Sequence, residues 1–281
     1  MRVFCRLVIF LLVALPAVAQ SQAFEVITIK PHGSGDPRNA RMQVLLNGDL
    51  ITSAVPVVTL LSYAYDVPTN PSPLLSGLPD WAIHERYDIE AKVPSDVVPR
   101  GLSESEVRGR TRQMIRGLLA DRFKLVMRVE QKTMRVYALS VASGGANLQK
   151  STLTAKDCAF DTDREGCHSF IGGLGHPLHA NAIDMDDLAH YIGNWTDLPV
   201  VNRTALSGLF AVSTEGWTAM RLPPPPPNAA PSAQPSGDRD MPAPAFPTIF
   251  VVLGKLGLEL KQQEATLPVY TVERIERLAA N

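Results

Sequence analysis

Residues whose side chains could do chemistry are concentrated between positions 158 and 190. Two cysteines open this segment, and four histidines and three aspartates follow: Cys158, Cys167, His168, His176, His179, Asp184, Asp186, Asp187 and His190. Imidazole, thiolate and carboxylate groups are the usual zinc ligands, and imidazole is the side chain most often used as a general base. The spacing Cys-x8-Cys-His-x7-His-x2-His matches no common zinc pattern. A hydrolase or metal-dependent enzyme using residues 168–190 is therefore the alternative hypothesis.

Other catalytic motifs are weak in this sequence. It contains no Gly-x-Ser-x-Gly elbow, and Ser34, which lies between two glycines, is an ordinary loop residue. No glycine-rich phosphate loop follows a predicted strand. We therefore predict no catalytic residue, no bound metal and no cofactor.

Two groups of charged residues have simple structural explanations. Asp184, Asp186 and Asp187 begin a predicted helix, where acidic side chains cap free N–H groups and favour the helix dipole. Four arginines recur on another predicted helix: Arg108, Arg110, Arg112 and Arg116. We expect this arginine face to be solvated, with contact to an anionic surface as the alternative.

Four large aromatic residues are the candidate binding residues: Trp81, Tyr87, Trp195 and Trp217. They lie near the ends of predicted strands and helices, where they could line a groove between the two halves of the chain. Packing within a hydrophobic core is the alternative for each of them.

The first 23 residues have the pattern of a cleaved secretory signal peptide. Arg2 and Arg6 precede an uncharged apolar run from Leu7 to Ala19, which is shorter than the roughly 18 apolar residues a membrane span needs. Cleavage after Ala19 or after Ala23 fits the pattern. We expect a mature chain without a membrane span, located in the periplasm or outside the cell.

Cys158 and Cys167 are the cysteines that remain after such cleavage. They lie nine residues apart in a loop segment, a separation that can close a small ring, and an exporting pathway provides oxidising conditions. We therefore predict a disulfide between them.

The overall composition is typical of a folded protein. Of 281 residues, 45% are hydrophobic, and 27 basic side chains nearly balance 28 acidic ones to give a net charge of −1. Intrinsic disorder would need fewer apolar residues and more net charge. A nucleic-acid-binding protein usually shows a basic excess, so we expect no nucleic-acid partner.

Periodicity predicts the elements of the first half. Asn47-Gly48 joins two strands in a hairpin, and a helix follows from Pro56 to about Tyr65. Residues 87–93 alternate as a strand, and Ser103 opens a helix ending near Asp121. Residues 123–129 and 136–141 then read as the two strands of a β-hairpin.

The second half repeats this order. Asp184 begins a helix, Gly208 to Thr214 read as a strand, and a helix from Thr248 to Leu256 precedes two strands, one at 258–260 and one at 269–275. Residues 222–247 are rich in proline and predict an exposed, extended insertion.

The two halves also match in sequence. An offset of 133 residues brings Phe123, Leu125 and Met127 onto Leu256, Leu258 and Leu260. We therefore predict an α+β fold of two related repeats, each a small, mainly antiparallel sheet packed on two amphipathic helices. The repeats are expected at 24–150 and 179–281, with a cysteine-containing linker loop at 151–178.

Several motifs along the chain occur together in one known family. They are Phe24-Glu25-Val26, Tyr63-Ala64-Tyr65, Tyr87-Asp88-Ile89-Glu90-Ala91-Lys92, Leu119-Ala120-Asp121-Arg122-Phe123-Lys124-Leu125, Val136-Tyr137-Ala138-Leu139, Pro199-Val200-Val201-Asn202-Arg203-Thr204 and Leu256-Gly257-Leu258-Glu259-Leu260. The chain resembles the soil-associated protein family of acidobacteria, whose shared region is a domain of unknown function. It departs from the family at Ala205, where glycine is usual. The resemblance implies an exported bacterial protein and transfers no catalytic residue.

These observations favour an exported, non-enzymatic binding or interaction module of the bacterial envelope or the cell exterior. Its expected partner is an envelope or extracellular protein or a small ligand. The enzyme hypothesis described above and a sensor module that signals to a membrane protein are the alternatives.

Overall fold

The computed structural model describes residues 23–33, 40–45, 47–68, 72–94, 98, 102, 104–154, 157–158, 166–218, 220 and 246–278. The predicted signal peptide, apart from Ala23, lies outside these residues. So do Ser103, the predicted helix cap, and all of the proline-rich segment except Phe246 and Pro247. None of the helices among the described residues is long and apolar enough to cross a membrane.

The described residues form twelve strands and five helices. The strands are β1 (Val26–Pro31), β2 (Arg41–Val44), β3 (Leu50–Pro56), β4 (Leu75–Ser76), β5 (Arg86–Lys92), β6 (Val126–Val141), β7 (Gln149–Lys150), β8 (Ile171–Gly173), β9 (His176–Ile183), β10 (Val200–Asn202), β11 (Phe210–Thr214) and β12 (Leu258–Arg274). The helices are α1 (Val57–Tyr65), α2 (Asp80–His84), α3 (Glu104–Arg122), α4 (Met185–Gly193) and α5 (Ile249–Lys255). Three four-stranded, mostly antiparallel sheets result, which confirms the predicted mixed α+β class.

The first lobe consists of the antiparallel sheet β1-β5-β3-β2 and helices α1 to α3. Its core contains Leu60 of α1, Ile89 of β5 and Ile115 of α3, all fully buried. Helix α1 follows Pro56, whose extended backbone suits a helix start, and ends at Asp66, which has a left-handed conformation with φ 57°. The predicted helix and the predicted hairpin at Asn47-Gly48 are both confirmed.

The second lobe consists of the antiparallel sheet β7-β11-β9-β8 with helices α4 and α5. Its core is built from alternating residues of β9 and β11 and from the inner faces of both helices. Leu178, Leu188 and Phe210 are among its buried members, and Trp217 lies beneath them with 1% of its surface exposed. The helix predicted to begin at Asp184 and the helix predicted from Thr248 to Leu256 are thus confirmed, the second with slightly shorter limits.

The central sheet joins the two lobes, and it corrects the sequence prediction. Strand β6 is continuous over 16 residues and β12 over 17, and the two strands pair with each other along their length. The two hairpins predicted at 123–141 and 258–275 are therefore wrong. Residues 130–135 contain no glycine, proline, asparagine or aspartate to make a turn. Each predicted pair of strands is therefore one strand, whose partner is more than 100 residues away.

Each end of this ribbon belongs to a different core. At one end Leu125, Met127 and Val272 pack in the first lobe, and at the other end Leu139 and Leu258 pack in the second. Strand β10 adds to β6 and strand β4 adds to β12, both in parallel. The lobes therefore share one sheet, and helices α1 and α3 face helix α4 across the space between them.

Candidate functional site

A cleft of about 960 Å³ lies between the two lobes. Its walls carry charged and aromatic side chains from both sides: Tyr63, Asp66, Arg108 and Arg112 from the first lobe, and His168, Phe170, Asp184, Asp186, Asp187, His190 and Tyr191 from the second. Cavities of this size hold small organic ligands, and a few converging polar groups among apolar walls usually fix the ligand's orientation. The cleft is therefore the candidate functional site.

The N-terminus of α4 forms one wall. The Asp187 amide N–H donates to the Asp184 carboxylate at 2.7 Å, and the Asp184 amide N–H donates to the Asp187 carboxylate at 3.0 Å. This reciprocal capping box satisfies amide groups that have no partner within the helix. The predicted capping role of Asp184 is confirmed, while Asp186 accepts a hydrogen bond from the Asn202 amide at 2.9 Å.

Asp187 also binds two cationic or potentially cationic groups. Nδ1 of His168 hydrogen-bonds to one carboxylate oxygen, and Nη1 of Arg108 lies 3.3 Å from the other. The Asp187 side chain is only 9% exposed. Burial acts to raise the pKa of Asp187, but the hydrogen bond and charge of His168, with smaller contributions from the Asp184 amide and Arg108, lower it overall.

The pKa of Asp184, in contrast, is raised above its ordinary value. Burial raises its pKa, and the nearby charges of Asp187 and Asp186 act in the same direction, while the hydrogen bond from the Asp187 amide and the charge of His168 oppose them. The pKa values of these two neighbouring carboxyl groups thus move apart, because burial dominates at Asp184, whereas His168, the Asp184 amide and Arg108 together outweigh burial at Asp187.

A second charged group surrounds Asp66 at the end of α1. Nη2 of Arg112 lies 2.6 Å from its carboxylate, and Nδ1 of His190 from α4 lies 3.4 Å from the same oxygen. An acidic residue is unfavourable at a helix C-terminus, and Arg112 compensates for this. Burial lowers the pKa of His190, although the charge of Asp66 partly opposes the shift.

Two arginines of α3, Arg108 and Arg112, line the cleft. Arg108 and Arg112 are 27% and 24% exposed, and Arg116 donates to the Ala64 carbonyl at 2.8 Å. Arg116 is exposed, so the expectation of a solvated face is wrong only for Arg108 and Arg112. Their spacing of four, which places side chains on one helix stripe, is the signal from which their shared role could have been recognised.

Part of the predicted histidine-rich segment converges here. His168, Asp184 and Asp187 each offer one atom to a possible metal ion, and these atoms lie within 4.8 Å of one another. The imidazole and two carboxylates could hold a divalent cation, although Asp187 already contacts Arg108. His176 and His179 lie on β9, outside the described lining of the cleft, and His179 contacts Ser213 at 3.1 Å instead.

The two cysteines lie beside His168. Their sulfur atoms are 2.06 Å apart and their Cα atoms 5.7 Å apart, which fits the predicted disulfide between Cys158 and Cys167. The pair packs against Ala182, and the His168 amide N–H donates to the Ala182 carbonyl at 2.8 Å. The linked loop therefore fixes the backbone that presents the His168 imidazole to Asp187.

The four predicted binding aromatics pack within the lobes. Trp81 stacks on Phe123 with ring centroids 6.4 Å apart, and Tyr87 meets the same ring edge-on at 5.5 Å. Trp195 and Trp217 pack in the second core. Among the described residues none of the four lines the cleft, and their binding role stays a prediction.

The aromatic rings that do line the cleft were not singled out from the sequence. Phe170 and Tyr191 stack with centroids 4.1 Å apart and planes inclined by 8°. Tyr63 lies on the facing wall, with the Arg112 guanidinium 5.7 Å from its ring centroid. No local pattern marks these residues, because they come from three separate elements.

A smaller cavity of about 390 Å³ lies in the first lobe, beside Tyr87. It is also lined by His32, Glu85, Arg86 and Arg277. The Tyr87 hydroxyl donates to Glu85 at 3.2 Å, and burial together with the Glu85 charge raises the pKa of Tyr87 to about 12. This phenol is therefore neutral under physiological conditions.

The fold and the cleft together define a class of protein: a two-lobed, mixed α+β protein with a ligand-sized cleft between its lobes. More particularly, the chain belongs to the family described as Protein of unknown function (DUF3738), whose family model matches residues 58–275. The matched range includes both walls of the cleft. No curated protein and no solved structure matches the chain.

Proposed function

We propose that the protein is an exported, non-enzymatic binding or interaction module, and that its ligand occupies the cleft between the lobes. The observation that carries this proposal is the cleft itself, at about 960 Å³ and lined by charged and aromatic side chains from both lobes. Ligand sites are usually concave, largely preformed and found between domains. The proposed site of action is the periplasm or the exterior of the cell.

The export part of the proposal is supported by the sequence. Residues 1–23 have the charge and hydropathy pattern of a cleaved signal peptide. A bonded Cys158–Cys167 pair is consistent with an oxidising compartment. The motifs shared with the soil-associated protein family of acidobacteria point the same way, and we propose membership of that set. Mass spectrometry of the secreted chain tests export, because cleavage predicts a first residue at Gln20 or Phe24.

We also propose that the chain arose by duplication. The sheet orders β1-β5-β3-β2 and β7-β11-β9-β8 support this. In each sheet the strand that comes first along the chain lies at one edge, the fourth strand lies next to it, and the third and second follow. In the central sheet, β10-β6-β12-β4, the long strands β6 and β12 occupy equivalent inner positions, and the short strands β10 and β4 occupy equivalent edges. The offset of 133 residues relates Thr133 to Thr266, and these two residues pair at the centre of the ribbon with their hydroxyls 3.0 Å apart. Because β7 takes the place of β1 in this correspondence, the proposed boundary between the repeats lies between β6 and β7, just before the cysteine-containing segment 151–178.

An exported hydrolase or metal-dependent enzyme is the second candidate. The observation that favours it is the hydrogen bond from His168 to Asp187, because a carboxylate that orients an imidazole is the usual support of a general base. The neighbouring Asp184 could complete a metal site. Turnover that is lost on changing His168 to Ala would favour this candidate.

Ligand capture tests the leading proposal. The protein lacking residues 1–23 is mixed with small-molecule extracts of culture medium, separated by gel filtration and examined by native mass spectrometry. Gly109 of α3 lines the cleft, and a Cβ atom there would meet nothing within 4 Å, so Gly109→Phe adds a ring at the cleft wall with no clash at its Cβ atom. Gly117→Phe on the same helix, also with open space around it, is the matched control.

We expect the unmodified protein and Gly117→Phe to retain the same small molecule, and Gly109→Phe to lose it. Equal retention by all three proteins would contradict the proposed position of the site. Turnover without retention would instead favour the enzyme candidate.

A further inference from the structure

The cleft walls contain two similar sets of side chains, each with an arginine of α3, an aspartate and a histidine. The first set is Arg108, Asp187 and His168, and the second is Arg112, Asp66 and His190. In each set the aspartate lies between the other two groups. The two arginines are one helix turn apart, so the sets are side by side along the cleft.

One contact in each set crosses from lobe to lobe. Arg108 belongs to the first lobe and reaches Asp187 of the second at 3.3 Å. Asp66 belongs to the first lobe and is approached by His190 of the second at 3.4 Å. The contacts of His168 with Asp187 and of Arg112 with Asp66 lie within one lobe, where they orient the aspartate. The crossing contacts therefore depend on how close α1 and α3 are to α4.

A connection of a different kind also joins the lobes. It is the shared central sheet, in which β6 and β12 run from one core to the other. Between the residues that pair with β4 and those that pair with β10, the sheet narrows to β6 and β12 alone among the described strands, and this two-stranded part can twist and bend. The lobes, in contrast, are each packed around a separate core. Relative movement of the lobes would thus change the width of the cleft and break the crossing contacts while leaving both cores intact.

We propose that Arg108–Asp187 and Asp66–His190 form a clasp that holds the cleft closed, and that loss of either contact opens it. The clasp goes beyond the proposed function, because it acts whether or not a ligand is present. Asp187 is only 9% exposed, but Arg108 is 27% exposed, so high salt still weakens the Arg108–Asp187 ion pair, although by less than it would weaken a fully exposed pair. Opening is therefore reversible and governs access to the cleft.

Pulsed electron paramagnetic resonance tests the clasp on the full mature chain without ligand. Spin labels are attached to cysteines introduced at Gln113 of α3 and Ile171 of β8, two exposed positions in different lobes. The two native cysteines are bonded to each other and do not react with the label. The distance distribution is measured at neutral pH for the parent protein, Arg108→Gln and His190→Phe, and for the parent in low and high salt.

Asp121→Asn is the matched control, because Asp121 lies on the same helix and pairs with its neighbour Arg122. We expect one narrow distance distribution for the parent and Asp121→Asn in low salt. Arg108→Gln, His190→Phe and the parent in high salt are each expected to add a population at longer distance. The salt arm needs no substitution at the clasp, so it remains decisive if a variant folds poorly. Distributions that coincide in low and high salt, or in variants with parent-like circular dichroism, would overturn the proposal.

Discussion

Removal of the Asp187 carboxylate is the substitution with the clearest expected cost. Asp187→Ala takes away the hydrogen bond from His168, the contact with Arg108 and the acceptor of the Asp184 amide at the same time. It also leaves Arg108 and His168, which are 27% and 15% exposed, without their carboxylate.

The magnitude follows from these contacts. A hydrogen bond to a charged group contributes about 1.5–3 kcal/mol, and breaking a buried ion pair on one side costs about 3–5 kcal/mol. Because Arg108 retains access to water, we expect Asp187→Ala to lower the free energy of unfolding by about 3 kcal/mol, at the lower end of the second range. Asp187→Asn keeps an acceptor for the Asp184 amide and should lose less.

Urea denaturation at neutral pH, with the disulfide intact, measures this loss. Far-ultraviolet circular dichroism and tryptophan fluorescence are followed together, so that a single transition can be recognised. Asp186→Ala is the control, because Asp186 is in the same helix turn but has one hydrogen bond, from Asn202, and should lose no more than about 1 kcal/mol. Equal stability of the two variants would refute the central role given to Asp187.

The pH dependence has a defined sign. The pKa of Asp187 is lowered from its ordinary value of 3.8, so the carboxylate stabilises the fold at pH values above that value. This stabilisation is lost as the pH falls through the lowered pKa. The difference in stability between the parent and Asp187→Ala should therefore shrink in acid; a difference that grew as the pH fell would contradict the assignment.

Three further predictions concern other parts of the molecule. Gly216→Ala should destabilise the fold by at least about 1 kcal/mol in urea denaturation, because Gly216 has φ 86° and a Cβ atom would lie 2.0 Å from the His176 carbonyl oxygen. Gly117→Ala, in open space on α3, should instead stabilise the fold by about 0.5–1 kcal/mol. Reduction of the Cys158–Cys167 bond, which joins residues nine positions apart, should cost about 2.6 kcal/mol and add the mass of two hydrogens, and an unchanged mass would reject the bond. Glu85→Gln should lower the pKa of Tyr87 from about 12, as measured by phenolate absorbance. In the parent protein, the stability contributed by neutral Tyr87 should be complete below pH 10.0 and be lost as the pH rises from that value to about 12.

Local elements of this fold could be predicted because local residues determine them. Four buried positions with helical spacing, a proline before them and a polar residue able to take a left-handed conformation define α1. Asp184 and Asp187 likewise define the start of α4 through their reciprocal hydrogen bonds. In each case the partners lie within a few residues of one another.

The central ribbon could not be predicted in the same way. Alternation of apolar residues indicated strands near 123–141 and 258–275, but it does not identify the partner of a strand. Pairing within a hairpin was assumed although residues 130–135 offer no turn. The actual partner follows from packing of each ribbon end into a different core, which is a property of the whole fold.

The cleft was also hidden from the sequence, since its contacts join distant residues. Arg108 and Asp187 are 79 positions apart, and neither residue type is unusual on a helix. The histidine-rich segment predicts candidate groups, yet His176 and His179 lie on β9 outside the described cleft lining, and His168 is the histidine that reaches Asp187. Spacing along the chain identified candidate groups, and only the packing of the lobes selected among them.

Hydrogen–deuterium exchange with the captured ligand tests the binding proposal most directly. If the ligand occupies the cleft, amide protection should appear together in peptides covering 57–66, 106–112 and 184–193, because these segments form its facing walls. Protection should be absent in Gly109→Phe and preserved in Gly117→Phe. Protection confined to one lobe, or unchanged by Gly109→Phe, would contradict the proposal that the cleft between the lobes is the binding site.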